Sequence, residues 1–321
     1  MKKNSKRYQK YLNILREELV PALGCTEPIA IAYGAAHAVE LLGIFPERLI
    51  VACSGNIIKN TKSVIVPTTG NLKGIEASAI LGAVGGDPKL GLEVLSTIRP
   101  EHIVQTRQLL AEGLCEIELL AGAPNLHIII TAIRGNESAA VEILNEHTNI
   151  VRMLKNGAPV FQKPQGCLAE ESYGSGMSLA EIFHFANSVE MNDVEEIIGR
   201  QVDYNSRIAE EGLHNGYGAK VGLTLLETFG DDIRTRARAY AAAGSDARMG
   251  GCTLPVVINS GSGNQGMTVS LPVIQYAHHL HASKEMLYRA LVMSNLTAIH
   301  QKMGIGRLSA YCGAVSAAAG S

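Results

Sequence analysis

Between Glu116 and Leu144 apolar residues recur at every second position, while on both sides their spacing is that of a helix. Nothing else in the chain narrows the fold as much. A period of two makes a half-buried strand, and a period near 3.6 makes an amphipathic helix. Glu116–Leu120, Leu126–Ile133 and Ala139–Leu144 are predicted strands, with Gly135-Asn136 as a hairpin turn. Leu49–Cys53 is a short apolar strand ahead of them, and Val64–Pro67 and Ile150–Leu154 are further candidates. Pro159, Pro164, Gln165 and Gly166 read as a connector. Helices are predicted over 6–20, 28–42, 75–84 and 101–112. Beyond the connector they follow from Asp193 to Leu213 and over about 219–229, 232–243, 268–280 and 284–303.

The expected fold class is therefore α+β. A small α/β domain with an antiparallel sheet is expected at 45–160 and a mainly α-helical domain at 170–321, the N-terminal helices of 1–44 packing on the latter. The 321 residues suffice for two cores, and 33 glycines with no tryptophan favour closely approaching backbones over ring-filled interiors. Formal charge is nearly balanced at −2, which gives no reason to expect nucleic acid or an anionic membrane as partner. No run has the length of a membrane span, and no signal peptide is recognisable, so a cytoplasmic location is expected. The six cysteines, at 25, 53, 115, 167, 252 and 312, form no CxxC pair, which argues against a zinc finger. In a reducing compartment disulfides are not expected either.

The polar punctuation suggests chemistry in two places. Pro21-Ala22-Leu23-Gly24-Cys25-Thr26-Glu27-Pro28 leads into a helix that Thr26 or Glu27 would cap. A cysteine just before a helix N-terminus lies where the dipole favours thiolate, the form that acts as nucleophile, base or ligand. The plain alternative is a small buried cysteine at a tight turn. The second place is Asn259-Ser260-Gly261-Ser262-Gly263-Asn264-Gln265-Gly266. It spells GxGxxG, but helices follow where a second parallel strand would belong, so a dinucleotide site is not expected. A glycine loop opening a helix still offers N–H groups to a carboxylate. Ser54-Gly55-Asn56 echoes Ser262-Gly263-Asn264, and Lys59 and Asn60 follow it. Lys59 is a candidate catalytic residue or else an ordinary solvated lysine. Asp246 and Arg248 could orient a substrate or pair with each other.

These segments, together with Cys312-Gly313-Ala314, resemble the L-cysteine desulfidase family, which is related to the α-subunit of iron–sulfur L-serine dehydratases. The resemblance runs through essentially the whole chain. It implies a lyase that eliminates the β-substituent of L-cysteine, giving pyruvate, ammonia and sulfide, or that dehydrates L-serine at the same site. It also implies a 4Fe–4S cluster held by cysteines with one iron open to substrate. Carried over residue by residue, Cys312 matches a cluster cysteine and Cys25 a functional cysteine, as base or as additional ligand. Ser54, Asn56, Lys59, Asn60, Ser262 and Asn264 match substrate-holding positions, and Thr26, Gly55, Gly263 and Gln265 are expected to bind substrate with them. The family's further cluster cysteines lie in a Cys-Asp-Gly-Ala-Lys segment that this sequence does not contain, so a chain cut within a domain and an incomplete cluster are expected. A homo-oligomer is expected as well. Two other functions fit the same residues: a pyridoxal-phosphate lyase using Lys59, and an amino-acid-binding protein without turnover.

Overall fold

The computed structural model describes residues 1–3, 5–62, 64–67, 69–164, 176–303 and 312–321. The chain forms two compact units, Leu23–Glu171 and a second made of Met1–Ala22 with Ser172–Ser321. It opens with helix α1 (Lys6–Glu18) and the short strand β1 (Pro21–Leu23). Gly24 follows with φ of +68°, and a Cβ there would fall 2.0 Å from Pro67 Cγ. Only glycine satisfies both the turn and the contact.

The sheet unit continues with α2 (Thr26–Leu42), β2 (Arg48–Cys53), α3 (Gly55–Thr61), α4 (Gly74–Gly85) and α5 (Pro100–Ala111). Then come β3 (Cys115–Leu119), β4 (His127–Arg134), β5 (Glu137–Leu144), β6 (Ile150–Lys155) and β7 (Ala158–Gln162). The six strands lie in the order β3-β2-β4-β5-β6-β7. All pairs are antiparallel except β2 with β3, which is parallel and needs the long helical crossover between them. Leu49, Val51, Ile128, Ile130, Ala132, Ala139, Val141 and Ile143 alternate onto the buried face, where α2 and α4 pack. Those helices approach closely because their contact residues are small: a Cβ on Gly82 would stand 2.2 Å from the Ala32 carbonyl oxygen. The other face carries the ion pairs Arg48–Glu116 and Arg152–Glu142, and His127 Nε2 is hydrogen-bonded to Glu142.

The predicted hairpin at Gly135-Asn136 is present, with Arg134 opposite Glu137. β7 is an extra strand within the expected connector. It tolerates Pro159 because it lies at the sheet edge, and it is reached through Asn156-Gly157, both at positive φ. Val64–Pro67 makes a single bridge, Ile65 with Lys73, instead of a strand.

The helical unit contains α1 and, beyond the sheet, α6 (Leu179–Ser188), α7 (Met191–His214), α8 (Val221–Phe229) and α9 (Ile233–Met249). The short β8 (Pro255–Val257), α10 (Gly263–His279), α11 (Lys284–Lys302), a π-helical turn at Cys312–Ala317 and α12 (Ala318–Gly320) complete it. β8 pairs with β1 in a sheet of two strands. Asn205 on α7 is fully buried and clips β8 to α10: its Oδ1 accepts the Val257 N–H at 2.8 Å, and its Nδ2 donates to the Val257 and Gly266 carbonyls at 3.2 Å each. α1 docks through Tyr8 and Tyr11, whose rings pack on Phe185. The Tyr8 hydroxyl donates to Asp193 at 2.5 Å and accepts the Glu190 N–H at 3.0 Å. The fold is α+β, with a mixed, largely antiparallel sheet and a helical region. No described helix is long and apolar enough to cross a membrane.

Candidate active site

In the sheet unit the polar centre is Glu27. Cys25 is the N-cap of α2, with extended backbone (φ −81°, ψ 132°), and the helix begins at Thr26. Pro28 sits in its first turn, where a missing N–H costs no hydrogen bond. Glu27 therefore lies at the positive end of the helix, where a negative charge complements the dipole. Its Oε2 accepts from Cys25 Sγ and from Thr26 Oγ1, each at 3.1 Å, and its Oε1 accepts from Asn60 Nδ2 at 3.2 Å. Cys25, Thr26 and Glu27 are all buried, the glutamate 8% exposed. A carboxylate placed to take a thiol proton, in a site largely withdrawn from water, is acid–base equipment.

The sequence directs attention to Cys25 and passes over Glu27, which it treats only as a possible cap. The available signal was the motif itself: an acidic residue two positions after a cysteine, in the first turn of a helix. Of the other residues singled out here, Asn60 joins the cluster from α3. Ser54 and Asn56 turn elsewhere: Ser54 Oγ donates to the Asn125 carbonyl at 2.7 Å and Asn56 Nδ2 to Asn125 Oδ1 at 2.9 Å. Gly55 and Lys59 are exposed on the same short helix.

In the helical unit, the loop before α10 is a tight turn. Asn259 and Ser262 exchange two backbone hydrogen bonds at 3.1 Å, with Ser260 (φ +48°) and Gly261 (φ +79°) at the corner. Left-handed backbone at a serine costs energy and is held here by its surroundings. Ser262 caps α10, accepting the Gln265 N–H at 3.4 Å, and Gly263 and Asn264 open the helix. Two buried cations border this loop. Lys302 Nζ donates to the Ser260 carbonyl at 2.8 Å, and Arg248 Nη1 to Asn264 Oδ1 at 2.9 Å. They are 3% and 2% exposed. A Cβ on Gly263 would stand 2.3 Å from Arg248 Nε, so the guanidinium lies against the helix's first residue. Helix N–H groups with adjacent cations suit a carboxylate. Asp246 serves the fold, its carboxylate accepting the Ala219 and Val221 N–H groups at the start of α8 at 3.4 and 2.7 Å.

Among the described residues, no three of His, Cys, Asp and Glu gather as a metal site. Burial pushes the Cys53 and Cys115 thiols up to about 12 and raises Cys252 as well, so without a metal these thiols are protonated. Among the described residues, no set of cysteines gathers that would hold an iron–sulfur cluster. Cys312 opens the π-helical turn, its side chain lying outside the described residues, as does Cys167.

The thiol–carboxylate pair of the sheet unit is acid–base equipment, and the cation-bordered helix terminus of the helical unit is, separately, a place that suits a small anion. The chain belongs to the serine dehydratase alpha chain family, whose model matches residues 89–321. Its relatives include UPF0597 proteins. That of Lachnoclostridium phytofermentans is 55% identical over 314 residues, covering 98% of this chain and 75% of the relative. That of Treponema denticola is 47% identical over 330 residues, covering 99% and 76%. No solved structure matches the chain.

Proposed function

We propose that the protein is a lyase that eliminates the β-substituent of a small α-amino acid, with L-cysteine as substrate. The observation that carries this reading is the buried Glu27 carboxylate bonded to the Cys25 thiol, because β-elimination begins with loss of the Cα proton to a positioned base. Cys25, relieved of its own proton by Glu27, takes the Cα proton. The Cα electrons form the C=C bond as the C–S bond breaks, and sulfide leaves. The aminoacrylate tautomerises to the imine, which water converts to pyruvate and ammonia. Thr26 and Asn60 keep the Glu27 carboxylate aimed. In the helical unit taken by itself, Ser262, Gly263, Asn264 and Gln265, with Arg248, suit the carboxylate of an amino acid.

The second reading is L-serine dehydration, which the family's description favours; the proton step is the same, and hydroxide leaves in place of sulfide. Incubating anaerobically prepared protein with each amino acid and measuring pyruvate and sulfide tests both. Pyruvate with equimolar sulfide from L-cysteine, in excess of pyruvate from L-serine, is the expected result. Pyruvate from L-serine alone selects the second reading. Neither product, with retained binding, would mark an amino-acid-binding protein without turnover.

A further inference from the structure

Four amides in the helical unit form a ladder whose polarity can be read from its ends. Gln201 on α7 and Asn295 on α11 exchange hydrogen bonds, Nε2 to Oδ1 at 3.0 Å and Nδ2 to Oε1 at 2.8 Å. Asn295 Nδ2 also donates to the Leu291 carbonyl at 2.8 Å, and Asn259 Nδ2 to the Asn295 carbonyl at 3.3 Å. A backbone carbonyl only accepts, so these two contacts fix which end of each amide is nitrogen. Asn295 Oδ1 then accepts Asn259 Nδ2 at 2.9 Å, and Asn259 Oδ1 accepts Gln265 Nε2 at 2.8 Å. Gln265 is left with Oε1 at the end of the ladder.

All four residues are 0% exposed, and Gln265 Oε1 is buried without a hydrogen-bond partner. An orphaned buried acceptor is costly, and native proteins rarely leave one without a reason. Gln265 is the third residue of α10, so this acceptor belongs to the same first turn whose N–H groups and neighbouring Arg248 favour an anion. An anionic group joined to a hydrogen-bond donor satisfies both halves, and in an α-amino acid the carboxylate and ammonium are that close.

We propose that Asn295, backed by Gln201, is a positioning residue: through Asn259 it fixes Gln265 Oε1 as the acceptor for the ammonium group of the amino acid. This rests on the loop before α10 being where the amino acid is held. Gln265 would touch the substrate, whereas Asn295 and Gln201 act through it.

The test is a binding titration of the full chain with L-alanine and with propionate. The pair differs only in the ammonium group, and neither carries a leaving group. Gln265→Met is expected to weaken L-alanine about tenfold or more, the loss of a bond to a charged group. Propionate should change less than about twofold. Asn295→Leu should weaken L-alanine similarly in the native background yet add almost nothing in the Gln265→Met background, because the two act as one unit. Gln201→Met makes the same comparison if Asn295→Leu does not fold. Equal weakening of both compounds by Gln265→Met, no weakening of L-alanine, or additive costs in the cycle would each overturn the proposal. A wild-type protein that binds propionate and L-alanine equally well overturns it while leaving a carboxylate site in place. Binding of neither removes the amino-acid site itself.

Discussion

At the scale of single residues, the proposed chemistry turns on which side chains share a proton. Glu27 accepts from Cys25, Thr26 and Asn60, so Glu27→Gln removes the charge while nearly preserving shape. Pyruvate formation by this variant is expected to fall by about a hundredfold or more, as for loss of a positioned base. Cys25→Ser should do the same, and near-normal pyruvate from it would remove Cys25 from the mechanism. Circular dichroism should show both variants folded. The described cysteines other than Cys25 carry a different expectation. No metal-binding group gathers around Cys53, Cys115 or Cys252 among the described residues, and serine at each should leave the iron content of anaerobically prepared protein unchanged. Loss of iron in one of them would identify a ligand. The cysteine at the motif was legible in the sequence because two prolines and a glycine frame it. Its carboxylate partner was legible only as a cap, since a glutamate in a first turn is usually that.

At the scale of elements, α1 and the α2–α4 pair show how packing is tuned. Burial first, then the hydrogen bond to Asp193, pushes the Tyr8 hydroxyl up from 10.0 to about 12. Burial and Glu181 do the same for Tyr11. A raised tyrosine stabilises the fold fully below its ordinary value and loses that contribution as pH climbs through the folded value. Docking of α1 should therefore weaken between pH 10 and about 12. Tyr8→Phe should cost about 1–3 kcal/mol at neutral pH, and its melting temperature should fall less steeply across that alkaline window. An unchanged alkaline slope would show that the tyrosine does not govern it. Between α2 and α4, Gly82→Val should cost about 1–3 kcal/mol or more by overpacking against the Ala32 carbonyl, read from thermal unfolding. Most helices and the central hairpin were legible because their apolar period is long and clean. β7 was not, because Pro159 and Pro164 mask a strand that an edge position permits; Asn156-Gly157 was the available signal. Gln201, Asn205 and Asn295 were also passed over. Their long-range partners are 36 to 94 residues away in the chain, and their only local mark is a polar residue interrupting an apolar helix stripe.

At the scale of the whole molecule, the sheet unit is one continuous stretch, whereas the helical unit joins Met1–Ala22 to Ser172–Ser321. A fragment spanning 23–164 should therefore fold alone, with a cooperative urea transition and dispersed amide resonances. A fragment that stays unfolded would mean that the sheet depends on the helices. The same division bears on synthesis. When α1 leaves the ribosome, Asp193 and Phe185, which receive its tyrosines, have not yet been translated, and the strand that β1 pairs with comes later still. At about 5–20 residues per second, the sheet unit can complete its core during a wait on the order of ten seconds or more. Throughout that interval an amphipathic N-terminal helix stands without its binding surface. The nascent chain is thus most exposed to misassociation at its N-terminal end, late in translation.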